Sequence, residues 1–227
     1  MMFKSVKTGL LAVILLGATM IANAQKKINS GTVTYGIEYS LPPEQAAMAS
    51  QLPKEQKIKF DNNILRLDMQ QGAAQIGILQ NFVDKVGLML IDVPIIQKQY
   101  AVKISKEEIE QTEAAVPKLS DFKATGDKQT IAGYNTEKYT YKDDKGSTYE
   151  LWATTDIELP TGFSGAQFKD IKGALVKYTT FQNGTKVTLT IKNLSEGKVG
   201  PLTLEIPKTY EVKTMQEIMA MMQGGGE

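Results

Sequence analysis

The chain has 227 residues, no cysteine, no histidine and a formal net charge of +1 from 26 basic and 25 acidic side chains. Without cysteine or histidine there is no thiol nucleophile, no thiolate metal site, no histidine-based triad and none of the usual zinc ligand sets. The near-neutral balance, with Arg66 as the single arginine, removes the electrostatic case for nucleic-acid binding and for bidentate clamping of phosphate.

Residues 1–24 read as a secretory signal peptide. Lys4 and Lys7 precede the apolar run LLAVILL at 10–16, and Ala22-Asn23-Ala24 supplies a small-x-small cleavage pattern. A membrane-spanning helix needs about 20 apolar residues, and this run is interrupted by Gly17, Thr19 and Asn23. Cleavage would remove two lysines and no acid, leaving a net charge of −1. Gln25 comes next rather than cysteine, so no thiol is there to carry a lipid anchor. The expected organisation is a signal peptide (1–24), one domain (25–223) large enough for a core without disulfides, and a short glycine tail (224–227).

Strand patterns dominate the rest of the chain. TVTYGIEY at 32–39 alternates, with Val33, Tyr35, Ile37 and Tyr39 on one face. Residues 57–60 and 64–69 flank Asp61-Asn62-Asn63, and residues 75–82 and 86–93 flank Asp84-Lys85, which gives two hairpins. Pro94 should interrupt the chain before a strand at 96–104. Further strands are predicted at 122–130, 136–142, 148–154, 175–181 and 186–191. The last two are joined through Asn183-Gly184, a strong hairpin signal because both turn positions need positive φ. A final strand lies at 202–206 or 209–212. Three segments look helical: 43–52, opened by proline; 105–115, where Ser105 faces Glu108 in a capping box; and 214–223, with Met215, Ile218, Met219 and Met222 at helical spacing. Roughly ten antiparallel strands must close into a barrel or stack as a sandwich to hide their edges.

The stretch IAGY at 131–134, KYTYKDDKGSTYELW ending at Trp152 and ATTDIELP ending at Pro160 resembles a family of exported proteins of Gram-negative (Bacteroidota-type) envelopes, the domain of unknown function 4412 family. GTVTYGIEY at 31–39 and LPKEQKIKFDNNILRLDM at 52–69 fit it as well. The resemblance implies a fold like that of the periplasmic lipoprotein carriers: a mainly β domain with a few short helices, in which a single curved antiparallel sheet forms a half-open barrel lidded by helices. It also implies a periplasmic location. The same hairpin resembles the GLPGLI family, but KGAL at 172–175 stands where that family carries LPGL. Neither resemblance brings catalytic residues.

Several groups are candidate sites. Tyr139 and Tyr141 share a face of one strand, and Tyr149 and Leu151 share a face of its partner; Trp152 lies on the other face. They could line an apolar groove for an acyl chain, since aromatic rings offer large apolar area with a polar tip, or simply pack a core, the better reading for a single tryptophan. Met48 on the first helix, and Met215, Ile218, Met219 and Met222 on the last, could form an adaptable lid or fill a core. KDDKGS at 142–147 offers too few oxygens for calcium and reads as a turn. Carboxylate pairs such as Glu137 and Glu150, on paired strands, are candidates for glycoside hydrolysis, but acids on exposed strands are usually just solvated.

The expectation is therefore a non-enzymatic, monomeric periplasmic binding protein that holds a lipid, a lipidated ligand or another apolar molecule in the concave face of a half-barrel. It should need no cofactor or metal and bind no nucleic acid. The alternative is an envelope protein-interaction or structural module without a small-molecule ligand.

Overall fold

The computed structural model describes residues 25–182 and 185–224. The expected signal peptide, the Asn183-Gly184 turn and residues 225–227 lie outside the described residues. The strands are β1 (Lys26–Lys27), β2 (Ser30–Ser40), β3 (Glu55–Asp61), β4 (Ile64–Gln71), β5 (Ala74–Asn81), β6 (Val86–Val93), β7 (Lys98–Ile104), β8 (Leu119–Ile131), β9 (Tyr134–Asp143), β10 (Thr148–Thr154), β11 (Ile157–Glu158), β12 (Ala174–Gln182), β13 (Thr185–Glu196) and β14 (Glu211–Val212). The α-helices are α1 (Lys106–Ala115) and α2 (Met215–Gly224), and 3-10 turns occupy Pro43–Gln51, Pro94–Ile96 and Ala166–Phe168.

Twelve strands form one sheet in the order β14-β7-β6-β5-β4-β3-β2-β13-β12-β10-β9-β8, while β1 and β11 pair apart from it. The expected antiparallel pairing holds across the large sheet except at one edge. There β14 lies parallel to β7, with Glu211 beside Tyr100, so the sheet is mixed. Its edge strands β8 and β14 do not pair with each other, and the sheet is not closed into a barrel.

Directly paired residues present their side chains on the same face. Val33 pairs with Ile58, Ile58 with Leu67, Leu67 with Ile78, Ile78 with Met89 and Met89 with Val102. In the other direction Ile37 pairs with Leu189, Leu189 with Tyr178, Tyr178 with Leu151 and Leu151 with Tyr139. Val33 and Ile37 share a face of β2, so one face of the sheet carries both apolar rows. The sequence alternation sets this arrangement, because a one-residue slip would turn each row to the opposite face.

Different segments cover the two ends of that face. Over β9, β10 and β12 lie Phe168 and Ile171 from the β11–β12 connection, and Phe163 from the same connection sits against Phe60. The connection re-enters the sheet at Gly173 (φ 91°), where any Cβ would stand 2.0 Å from the Thr154 carbonyl oxygen, so only glycine fits. Over β5, β6 and β7 lies α2. The opposite face of those strands, with Leu79, Leu88, Leu90 and Ala101, is covered by Leu204, Ile206 and Tyr210. Residues 202–206 therefore pack as expected for a core segment but form no strand.

The capping box at α1 forms as predicted: Glu108 N–H donates to Ser105 Oγ at 3.2 Å and Ser105 N–H donates to Glu108 Oε2 at 2.7 Å. Pro94 does more than interrupt. It opens a 3-10 turn ended by Gln97 in the left-handed region (φ 52°), so β7 starts at Lys98 rather than at Ile96. The predicted helix at 43–52 is a 3-10 segment whose described side chains are exposed.

Candidate functional site

The ten residues singled out in the sequence fall in separate places. Tyr139, Tyr141, Tyr149 and Leu151 come together in one cluster with Phe122, Phe168 and Ile171. Tyr141 is 1% exposed and Leu151 fully buried. Phe122 and Tyr149 stack on the Tyr141 ring at 5.3 and 5.5 Å, and Phe168 meets it edge-on at 6.0 Å. The Tyr141 hydroxyl donates to the Thr179 carbonyl at 2.8 Å. Burial pushes that hydroxyl far above the usual phenol range despite this bond, and burial pushes the neighbouring Tyr178 up to about 12. These tyrosines are held neutral and packed against the chain's own Phe168.

Trp152 occupies the opposite face, half-buried, with Lys138 Nζ 6.0 Å from its ring centre. Lys138 also reaches Glu150 at 2.7 Å. Glu150 pairs with Thr140, whereas Glu137 pairs with Ala153. The two glutamates thus project to opposite faces and do not share a cleft. KDDKGS is a turn built on Asp143, whose carboxylate accepts from the N–H groups of Lys145 and Ser147 and from the Tyr149 hydroxyl. Burial raises the Asp143 carboxyl, but these hydrogen bonds outweigh it and hold the group below the usual carboxylate range.

Met215 and Ile218 stand at the other end of the sheet. They pack on Ile76, Ile91 and Val102, with Ile78, Met89 and Tyr100 partly buried around them. Ile218 is 5% exposed and is the only buried side chain among those described on α2; Met219 is 54% and Met221 41% exposed. The helix begins at a second capping box, in which Thr214 N–H donates to Glu217 Oε2 at 2.7 Å and Glu217 N–H returns to Thr214 Oγ1 at 3.2 Å. Met48 and Met222 lie on the first 3-10 segment and on α2, and their side chains are outside the described residues.

On the far face of β4–β7, Asp92 accepts from Tyr210 Oη at 2.8 Å and from Gln99 Nε2 at 2.6 Å, and Arg66 Nε donates to Asp68 at 2.7 Å. Burial, then the Asp92 carboxylate, pushes the Tyr210 hydroxyl up to about 12. An open depression of about 430 Å³ adjoins this cluster, and another of about 400 Å³ lies between Lys128, Glu137, Asp156 and Lys172. A third, of about 580 Å³, runs along the β11–β12 connection beside Phe168. Among the described residues no three acids converge on a metal position, and no helix is long and apolar enough to cross a membrane, which says nothing about strands.

Two features escape a reading of the sequence. Phe168 covers the tyrosines from a glycine-rich connection, and its only local signal is TGFSGAQF, two phenylalanines in an otherwise polar loop. The apolar bed of α2 could have been found from alternation alone, since Ile76 and Ile78, Met89 and Ile91, and Tyr100 and Val102 each recur at a spacing of two.

No curated protein matches the chain. Among solved structures it is similar to LprF from Mycobacterium bovis, at 14% identity over 79% of this chain and 90% of that one, with a TM-score of 0.36. It is also similar to MucB in complex with MucA(peri), at 13% identity over 82% of this chain and a TM-score of 0.31, and to MucB alone, at 10%, 80% and 0.29. This chain spans 56% and 58% of those two MucB chains. A family model matches residues 45–210, across the aromatic hairpin and the apolar bed alike, and the chain belongs to the family described as Domain of unknown function (DUF4412).

Proposed function

We propose that this chain is a non-enzymatic binding protein, exported to the periplasm by residues 1–24, that takes a lipid, an acyl chain or another apolar ligand on the sheet face beneath α2. In this reading the open sheet curves into a half-barrel and α2 is its lid. One observation carries the reading: the apolar bed of Ile76, Ile91 and Val102 is closed by a ten-residue helix whose only buried described side chain is Ile218. A helix of that length is marginal by itself and depends on its docking contacts. Few contacts hold it, so a ligand has little to displace. Each ligand methylene buried there contributes about 0.8 kcal/mol, and Met215 and Met219 can repack around chains of different shape. The tyrosine cluster is the poorer place for a ligand, because Phe168 already fills it.

The test is titration of the mature protein with a dansyl-labelled fatty acid, followed by competition with unlabelled palmitate. Saturable, competed binding supports the proposal, and Ile218→Ala should tighten it, because a weaker lid competes less well for its own bed. Absence of saturable binding in both proteins would defeat it. The alternative, a protein-interaction module, draws on β8, a thirteen-residue edge strand with mostly exposed side chains. Free edges can recruit a strand from a partner. Crosslinking in the native envelope that captures one partner through β8, with no bound lipid, would favour it.

A further inference from the structure

Two of the three most exposed large apolar side chains among the described residues stand together on one turn. Ile95 is 80% and Ile96 59% exposed, and both sit on the 3-10 turn between β6 and β7. The turn projects beyond the last ladder pair, Val93 with Lys98, and is fixed by the Gln97 N–H donating to the Pro94 carbonyl at 3.1 Å. Two adjacent isoleucines in water are costly, and a fixed turn cannot fold them away.

The surroundings say what they suit. The neighbouring turn on the same end of the sheet, between β4 and β5, lies within QQGAAQ at 70–75 and carries no charge; the isoleucine turn, VPIIQK at 93–98, carries one, Lys98. The opposite end of the same strands is different in kind. Asp84 and Lys85 lie in one of its turns, Asp61 closes the β3–β4 hairpin beside Ile64, and α1 begins there with Lys106, Glu107 and Glu108. The turns at one end of β4–β7 thus carry a single charge, Lys98, and aliphatic tips, with Asp92 one ladder row behind them and bonded to Tyr210 and Gln99, while the other end is crowded with charge. The apolar surface is also continuous with the bed of α2, because Ala74 and Val93, at the same end, pack against that bed.

From this we propose that the charge-poor end of β4–β7 rests on a lipid bilayer, with Ile95 and Ile96 inserted among the acyl chains and Lys98 at the headgroup level. A charge-poor, rigid, aliphatic tip beside a single lysine fits that boundary, where apolar burial rather than net charge supplies the affinity. The contact would put the mouth of the bed under α2 against the membrane. The inference rests on the proposed apolar-ligand function for its purpose, but not for its test.

The test is flotation of the mature protein with mixed phosphatidylethanolamine–phosphatidylglycerol vesicles, at low and at high salt. The native protein should float with the vesicles and keep most of its binding at high salt, where purely electrostatic adsorption is screened. Ile95→Ser/Ile96→Ser should bind about tenfold or more weakly. Val83→Ser, which alters a 55% exposed valine in the turn at the charged end, should bind like the native protein. These exposed positions leave the core intact, so circular dichroism of both variants should match the native spectrum. No vesicle binding by the native protein, or equal binding by all three proteins, overturns the inference. The dansyl titration run on the same samples reads ligand occupancy separately: binding of the fatty acid without vesicle contact removes the membrane tip and leaves the apolar bed.

Discussion

Ile218→Ala isolates the attachment of α2. The isoleucine is 5% exposed on Ile76, Ile91 and Val102, so nearly all of its apolar burial is lost on truncation. Burying such a side chain is worth about 1.5–3 kcal/mol. Alanine returns a few tenths of a kcal/mol in helix propensity, which leaves a loss of about 1–2.5 kcal/mol. The capping box at Thr214 and Glu217 is untouched, so the loss should fall on docking rather than on the start of the helix. At 1.4 kcal/mol per factor of ten, the undocked population should rise about 5- to 60-fold. Hydrogen exchange read by mass spectrometry measures this directly, since local opening exposes only the amides of the element that opens. Peptides covering α2 should exchange faster by that factor, while peptides from β2 and β13 keep their protection. If the sheet and α2 accelerate together, or if α2 does not change, the helix is not a separately movable lid.

Phe168→Ala should behave in the opposite way. Phe168 is 3% exposed against Tyr141, Phe122 and Tyr178, so truncation should cost about 3–5 kcal/mol and lower Tm by roughly 6–20 °C; a loss of a degree or two in calorimetry would contradict the closed aromatic core. Tyr178 and Tyr210 ionise near 12 in the folded chain, against 10.0 for an ordinary tyrosine. The fold therefore holds their protons more tightly, its contribution is complete below pH 10, and it is lost as pH rises from about 10 through about 12. Denaturant midpoints should be flat across pH 7–9 and fall through that window, less steeply in Tyr210→Phe; a midpoint indifferent to pH up to 12 would refute the assignment. Trp152 faces away from the bed of α2, so saturating the protein with unlabelled palmitate should leave its emission maximum unchanged, and a marked blue shift would place the ligand elsewhere.

Much of the sheet is legible because its rules are local. Alternation in TVTYGIEY puts Val33 and Tyr35 on the buried face, the SKEE capping box starts α1, and Asp61-Asn62-Asn63 turns the first hairpin. The parts that escape depend on residues far apart in the chain. β1 is two residues long and finds β11 some 130 positions away, a pairing without local pattern. Residues 202–206 alternate like a strand, yet Leu204 and Ile206 cover one face of the sheet instead of joining its edge. The candidate site divides for the same reason. The tyrosines and the α2 pair Met215 and Ile218 are each recognisable as apolar groups, but only the strand order places them at opposite ends of one face, with Phe168 over the first and α2 over the second. Trp152 and Glu150 are separable from that face by parity alone, because each lies one residue from Leu151.

The central claim is that an apolar ligand occupies the face beneath α2. Native mass spectrometry of the protein, purified from the cells that produce it naturally and measured before and after organic extraction, tests it most directly. The expected result is a population heavier than the polypeptide, with the added mass removed by extraction and identified as lipid. A single mass equal to that of the polypeptide, unchanged by extraction and unmoved by added palmitate, would contradict the claim.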